Sequence, residues 1–185
     1  MSHCEKQDPI DYGICVGTEV LFAATPTNGG TPAYQWMKNG SAISGATLST
    51  YQYFPDDGDI IVCEMTSDAA CAAPTTVFSQ GLKIEIYQPS VSISASPSTV
   101  CAGGASTLTA TVMGAGTSIT YTWYSGSAVI GTTTVNTLEL TNLTTSGNYS
   151  VSIVNSAGCT AASSSIPVTV TPAVTPTINI LAIPD

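Results

Sequence analysis

The chain has 185 residues but no arginine, three lysines and one histidine, and only 8% of its residues are charged. Ordinary globular domains carry about a quarter. With a net charge of −9 and no arginine, it cannot neutralise a run of phosphates, which argues against nucleic acid as a partner. The same deficit leaves nothing to hold it on an anionic membrane surface. No apolar run approaches the roughly 18–20 residues that cross a bilayer, so no membrane insertion is expected. The lone histidine, His3, leaves almost no group for acid–base chemistry, and the expectation is a non-catalytic protein without a cofactor. Serine-rich stretches such as Ser163-Ser-Ser165 have no base near them in sequence, so they do not change that reading. No segment carries the apolar stripe of a capped helix. Met1-Ser-His-Cys-Glu5 is unlike an export signal, so the chain is expected to be a mature product or a piece of a longer one.

Serine and threonine are abundant, 50 together, and the chain repeats itself. Cys15-Val-Gly-Thr-Glu-Val-Leu-Phe-Ala-Ala24 aligns with Cys101-Ala-Gly-Gly-Ala-Ser-Thr-Leu-Thr-Ala110 at an offset of 86. Tyr34-Gln-Trp36 aligns with Tyr121-Thr-Trp123, Cys71 with Cys159, and Ile84/Ile86 with Val168/Val170, at offsets of 87, 88 and 84. A third beginning follows: Pro176-Thr-Ile-Asn-Ile-Leu-Ala-Ile-Pro184 repeats Pro89-Ser-Val-Ser-Ile-Ser-Ala-Ser-Pro97. The repeats predict domains at 1–87 and 88–172, with 173–185 as the first strand of a further repeat or an exchanged strand.

Within each repeat the apolar period is two, as in Leu108/Ala110/Val112 and Tyr149/Val151/Ile153, with threonine and serine between. Strands buried on one face give this pattern. Turn signals such as Asn39-Gly40, Asp57-Gly58 and Ser146-Gly147 separate the runs. Short strands at this spacing indicate an all-β chain of two tandem immunoglobulin-like sandwiches plus a C-terminal β-strand. Trp36 and Trp123 take the core-tryptophan position, and Tyr149 takes the corner-tyrosine position. In the first repeat Ile61 replaces that tyrosine. Cys63 stands where antibody domains place a cysteine, but its usual partner site is Ala24.

Six cysteines can pair fifteen ways. Cys15 and Cys101 precede the second strand of their repeats, and Cys71 and Cys159 follow the corner strand. If these positions share one end of the sandwich, the bonds are Cys15–Cys71 and Cys101–Cys159. Each loop of nearly 60 residues is then worth roughly 4 kcal/mol on the chain-entropy model. Cys63 is read as a buried core thiol, with Cys4–Cys63 the competing reading. Paired cysteines in such a chain imply an extracytoplasmic setting.

Cys15-Val-Gly, Tyr34-Gln-Trp36, Cys101-Ala-Gly, Tyr121-Thr-Trp123 and Gly158-Cys159 make residues 12–171 resemble the tandem immunoglobulin-like repeats of very large Bacteroidota surface proteins. That resemblance implies export by the type IX system and a place in a cell-surface adhesin, including the gliding kind. Residues 1–11 depart from it, because Glu5-Lys-Gln-Asp-Pro-Ile-Asp11 lacks the alternating valine and isoleucine of the other first strands.

Asp56, Asp57 and Asp59 form an acidic group that is a candidate calcium site, with a solvated turn as the simpler reading. Tyr51, Tyr53 and Phe54 form an aromatic group able to stack on sugar rings, although alternation places some of them in the core. The main functional reading is a rigid stalk and interaction segment of an extracellular bacterial surface protein. Its partners would be neighbouring repeats or copies of itself, together with surface glycans or a host or substratum surface. A second reading is the subunit of a filament built by strand exchange, with Ile178, Ile180, Leu181 and Ile183 as the exchanged side chains. A third is a carbohydrate-binding or spacer module of a secreted hydrolase.

Overall fold

The structure, a computed structural model, describes residues 8–181, and all regular structure in them is β. His3, Cys4 and Ile183 lie outside these residues. Among the described residues no helix is long and apolar enough to cross a membrane. They form two compact units. One takes the residues up to Gln88 together with Ala157–Cys159; the other takes Pro89–Ser156 and the residues from Thr160 onward.

Unit one contains β1 (Ile10–Cys15), β2 (Val20–Ala23), β3 (Ala33–Lys38), β4 (Ser41–Ala42), β5 (Thr50–Tyr53), β6 (Ile60–Thr66), β7 (Thr76–Phe78) and β8 (Leu82–Tyr87). One sheet runs β1-β8-β6-β3-β4, with β7 also on β6; a second contains β2 and β5. Alternation along β2 and β6 turns Val20, Phe22, Ile61 and Cys63 inward, where they join Trp36 and Ile84 in one apolar cluster. β1 lies parallel to β8, with Ile10 beside Leu82 and Cys15 beside Tyr87.

Unit two contains β9 (Ser90–Ser96), β10 (Thr99–Cys101), β11 (Gly104–Met113), β12 (Thr120–Ser125), β13 (Ala128–Thr133), β14 (Thr137–Leu143), β15 (Gly147–Val154), β16 (Thr160–Ala162) and β17 (Ile166–Thr171). Its sheets are β10-β17-β15-β12-β13, with β16 on β15, and β14-β11-β9. The core gathers around Leu108, Trp123, Val151 and Val168. β10 is parallel to β17, as β1 is to β8.

The two units differ at one position. In unit two β9 pairs antiparallel along β11, whose other edge carries β14. In unit one, among the described residues, β2 pairs with β5 alone. Among the described residues, unit one supplies the strand parallel to β8 but none beside β2. In sequence, the residues before Ile10 are polar and charged rather than alternately apolar.

The segment read as the strand of a further repeat or an exchanged strand has no partner strand among the described residues. Residues 172–181 carry no strand, and Val174, Ile178, Ile180 and Leu181 are 85–96% exposed. A strand needs the backbone of a neighbour to satisfy its donors and acceptors, and within the single chain this segment has none.

Candidate functional site

Asn39 and Gly40, at φ 52° and 81°, make the two-residue turn between β3 and β4, a geometry favoured by Asn-Gly. The turn brings Asn39 and Lys38 to the buried Asp59. Asn39 Nδ2 donates to Asp59 Oδ1 at 3.0 Å. The Tyr53 hydroxyl and the Asp56 N–H donate to Oδ2 at 2.9 and 3.0 Å, and Lys38 Nζ lies 2.7 Å from that oxygen. Burial pushes the Asp59 carboxyl upward, but Lys38 and the three donors outweigh it and hold it below the usual carboxylate range. The hydrogen bond to Asp59 in turn raises Lys38, while burial and then Asp59 raise the Tyr53 phenol.

The carboxylates of the candidate calcium site are engaged within the protein. Asp56, Asp57 and Asp59 do share one loop, but their oxygens serve the protein. Asp57 Oδ1 accepts the Ile86 N–H at 2.8 Å, and Asp56 lies 3.5 Å from Lys38. Among the described residues no group of three or more potential metal ligands occurs. The Lys38 ammonium stands where a cation would sit, and the network braces the corner that Ile61 leaves without a tyrosine. In unit two Tyr149 is buried, its ring against Gly147, where an added Cβ would come 3.1 Å from the hydroxyl oxygen.

Two of the three candidate aromatics pack inside unit one. Tyr51 packs on Trp36 with centroids 6.1 Å apart, and Tyr53 on Phe22 at 6.0 Å. Both rings belong to the core of unit one, leaving Phe54 exposed without them. Trp36 donates through Nε1 to the Leu48 carbonyl at 2.9 Å, and Trp123, fully buried, donates to Thr133 Oγ1 at 3.0 Å.

A groove in unit one lies along the edge of β2 that has no partner among the described residues. In unit two β9 packs against β15, β16 and β17. The corresponding strands of unit one, β6, β7 and β8, wall a groove of about 620 Å³. Phe22, Ile61 and Cys63 form its floor, and the exposed rings of Tyr12 and Phe78 stand at its rim.

The cysteines pair differently from the expectation. Cys15 is bonded to Cys159, with Cα atoms 5.3 Å apart, across 144 residues of sequence. Cys71 and Cys101 are free and exposed, and Cys63 is free and buried. The expected Cys15–Cys71 and Cys101–Cys159 pairs fail on strand direction. Because β1 is parallel to β8, Cys15 lies at the Tyr87 end of the sheet, whereas Cys71 lies in the β6–β7 connection beyond Thr66, at the opposite end. Cys101 likewise lies beside Thr171, past the start of β15, while Cys159 follows the end of β15. The mates of each expected pair stand a strand length apart, roughly 20 Å, where a disulfide spans about 4.4–6.8 Å between Cα atoms. Cys63 packs beside Trp36 in the core, and its burial raises the thiol's pKa.

Residues 88–172 match the family described as Ig-like domain CHU_C associated. No curated protein matches the chain. Among solved structures, a chain from the crystal structure of the mouse coronavirus receptor-binding domain complexed with its murine receptor aligns at 15% identity over 86% of this chain and 96% of that one, with a TM-score of 0.55. Murine CEACAM1b aligns at 15% identity over 87% and 96%, with a TM-score of 0.51. The full ectodomain (Ig1–Ig3) of mouse nectin-like molecule 4 aligns at 20% identity and TM-score 0.40 over 85% of this chain, which spans 66% of that structure. The fold is therefore the immunoglobulin-like β-sandwich.

Proposed function

We propose that this chain is a load-bearing, non-catalytic segment of a bacterial cell-surface protein, in which immunoglobulin-like repeats space an anchor from a distal adhesive element. Its partners on this reading are neighbouring repeats or further copies of the same chain, and the adhesive ligand is met elsewhere in the assembly. The similarity of residues 88–172 to the CHU_C-associated domain supports a bacterial repeat protein. The Cys15–Cys159 bond supports an oxidising, extracytoplasmic location.

That bond carries the mechanical part of the reading. Tension applied at the two ends of the chain passes through the Cys15–Cys159 link and bypasses the 144-residue stretch it closes. Both hydrophobic cores lie largely within that stretch, so they are shielded while the bond holds. Single-molecule pulling from the two ends tests this. Adding a reductant should lengthen the fully extended chain by roughly 500 Å, at 3.3–3.6 Å for each released residue. Equal extension with and without reductant would contradict the load-bearing role.

A further inference from the structure

We propose that the open edge of β2 receives residues 176–184 of a second copy of this chain, and that Cys101 of the donor copy then bonds to Cys71 of the acceptor, joining copies into an open filament. This goes beyond the stalk reading and requires no adhesive ligand.

The groove and the segment correspond to a strand and site that unit two already pairs. Residues 176–184 repeat residues 89–97, so Ile178, Ile180 and Ala182 fall on Val91, Ile93 and Ala95. Those are the β9 side chains that pack on the core of unit two. In the β9–β11 register Ile93 faces Ala110 and Ala95 faces Leu108. Carried to β2 through the repeat alignment, Ile180 faces Ala24 and Ala182 faces Phe22, over the groove. The outer face adds selectivity. Where Ser96 faces Thr107 in unit two, Ile183 would face Leu21, which is 61% exposed. Donor and acceptor depart from the polar pattern at the same cross-strand pair, and apolar pairs of this kind stabilise a sheet. Residues 1–7, Met-Ser-His-Cys-Glu-Lys-Gln, offer no such alternation. Strand addition to an open sheet edge uses main-chain hydrogen bonds for affinity and alternate side-chain pockets for specificity.

The cysteines point the same way independently. Cys15 corresponds to Cys101, and Cys159 to Cys71. The bonded pair thus joins the cysteine before one repeat's second strand to the corner-loop cysteine of the following repeat. Left over are Cys101 and Cys71, both free and exposed. Within the chain, β8 is followed by β9, which completes the next sandwich, and Cys15 bonds forward to Cys159. From copy to copy, β17 would be followed by residues 176–184, which complete unit one of the next copy, and Cys101 would bond forward to Cys71. Such a contact is head-to-tail and leaves one strand and one edge unused at the two ends, so it propagates. Forming each bond removes two protons and two electrons from the two thiols; oxidised glutathione accepts them and becomes two molecules of glutathione.

The test uses the full chain with Cys4→Ser, incubated in a glutathione redox buffer and run on a denaturing gel without reductant. The parent should give a ladder of covalent oligomers. Cys71→Ser alone and Cys101→Ser alone should remain monomeric, while their mixture should give dimers and nothing larger. Ile180→Asp, at a side chain 96% exposed and free to change without disturbing either core, should abolish the ladder although it leaves every remaining cysteine in place. Three results would overturn the proposal: a parent that stays monomeric, single-cysteine variants that dimerise by themselves, or a ladder that survives Ile180→Asp.

Discussion

β2 and β11 start from the same cysteine-led motif, yet β2 is the edge of a two-stranded sheet and β11 the centre of a three-stranded one. Among the described residues the difference lies outside both strands: β9 pairs along β11, and nothing described pairs along that edge of β2. In unit two Val91, Ile93 and Ala95 close the space between the sheets. In unit one the same space is a groove, floored by Phe22, Ile61 and Cys63. A sandwich can therefore keep its core cluster, its tryptophan and its strand parallel to the last strand while leaving one flank open, because those elements are satisfied by the opposite sheet. The flank is where a repeat becomes a receptor for another strand.

The largest effect should come from making unit two resemble unit one. Ile93→Ala removes the central β9 side chain from a half-buried site and should cost about 2 kcal/mol, the lower end of the range for such truncations. Urea unfolding followed by Trp123 fluorescence, in a Trp36→Phe background, reads unit two by itself. Ile180→Ala, the same change at the corresponding position of the tail, should leave the dilute protein's stability unaltered. If Ile93→Ala is also silent, β9 is dispensable and the contrast between the units collapses.

A smaller effect separates the units by pH. Asp59 has a lowered pKa in the folded protein, so its contribution is present above the unfolded carboxylate value near 3.9 and is lost as pH falls through the folded value. Unit one should therefore lose stability as pH falls below the unfolded carboxylate value, with no matching loss from this cause in unit two, whose one carboxylate between residues 88 and 172 is Glu139. Asp59→Asn should lower unit one by about 2 kcal/mol at neutral pH, the scale of hydrogen bonds to a charged group, and flatten that acid limb. An unchanged limb in the variant would remove Asp59 from the account.

Much of the sandwich was legible because its signal is local: alternation of period two, turn residues between runs, and the same landmarks returning after about 86 residues. The polar run Glu5–Asp11 departs in sequence from the other first strands, and the first strand described begins within it, at Ile10. The disulfide was misread because pairing depends on strand direction. Cys15 and Cys71 look like neighbours once two sheets are imagined face to face, but a strand parallel to β8 carries Cys15 to the far end. The Asp59 network was missed for a related reason. Lys38, Asn39 and Tyr53 are separated from Asp59 by 21, 20 and 6 residues, and only the β3–β4 turn and the β3–β6 pairing bring them together. An acidic Asp-Asp-Gly-Asp string read alone suggests a bound cation, and the chain's own lysine supplies the charge.

The open edge of β2 is the centre of the account, and residue-resolved amide exchange in the dilute full chain tests it most directly. Val20–Ala23 should include amides that exchange at rates typical of unpaired edges, while Thr107–Val112, paired on both sides, should be protected to near the global stability of unit two. Equal protection of the two strands in the dilute monomer would mean that the chain covers β2 itself, and would contradict the account.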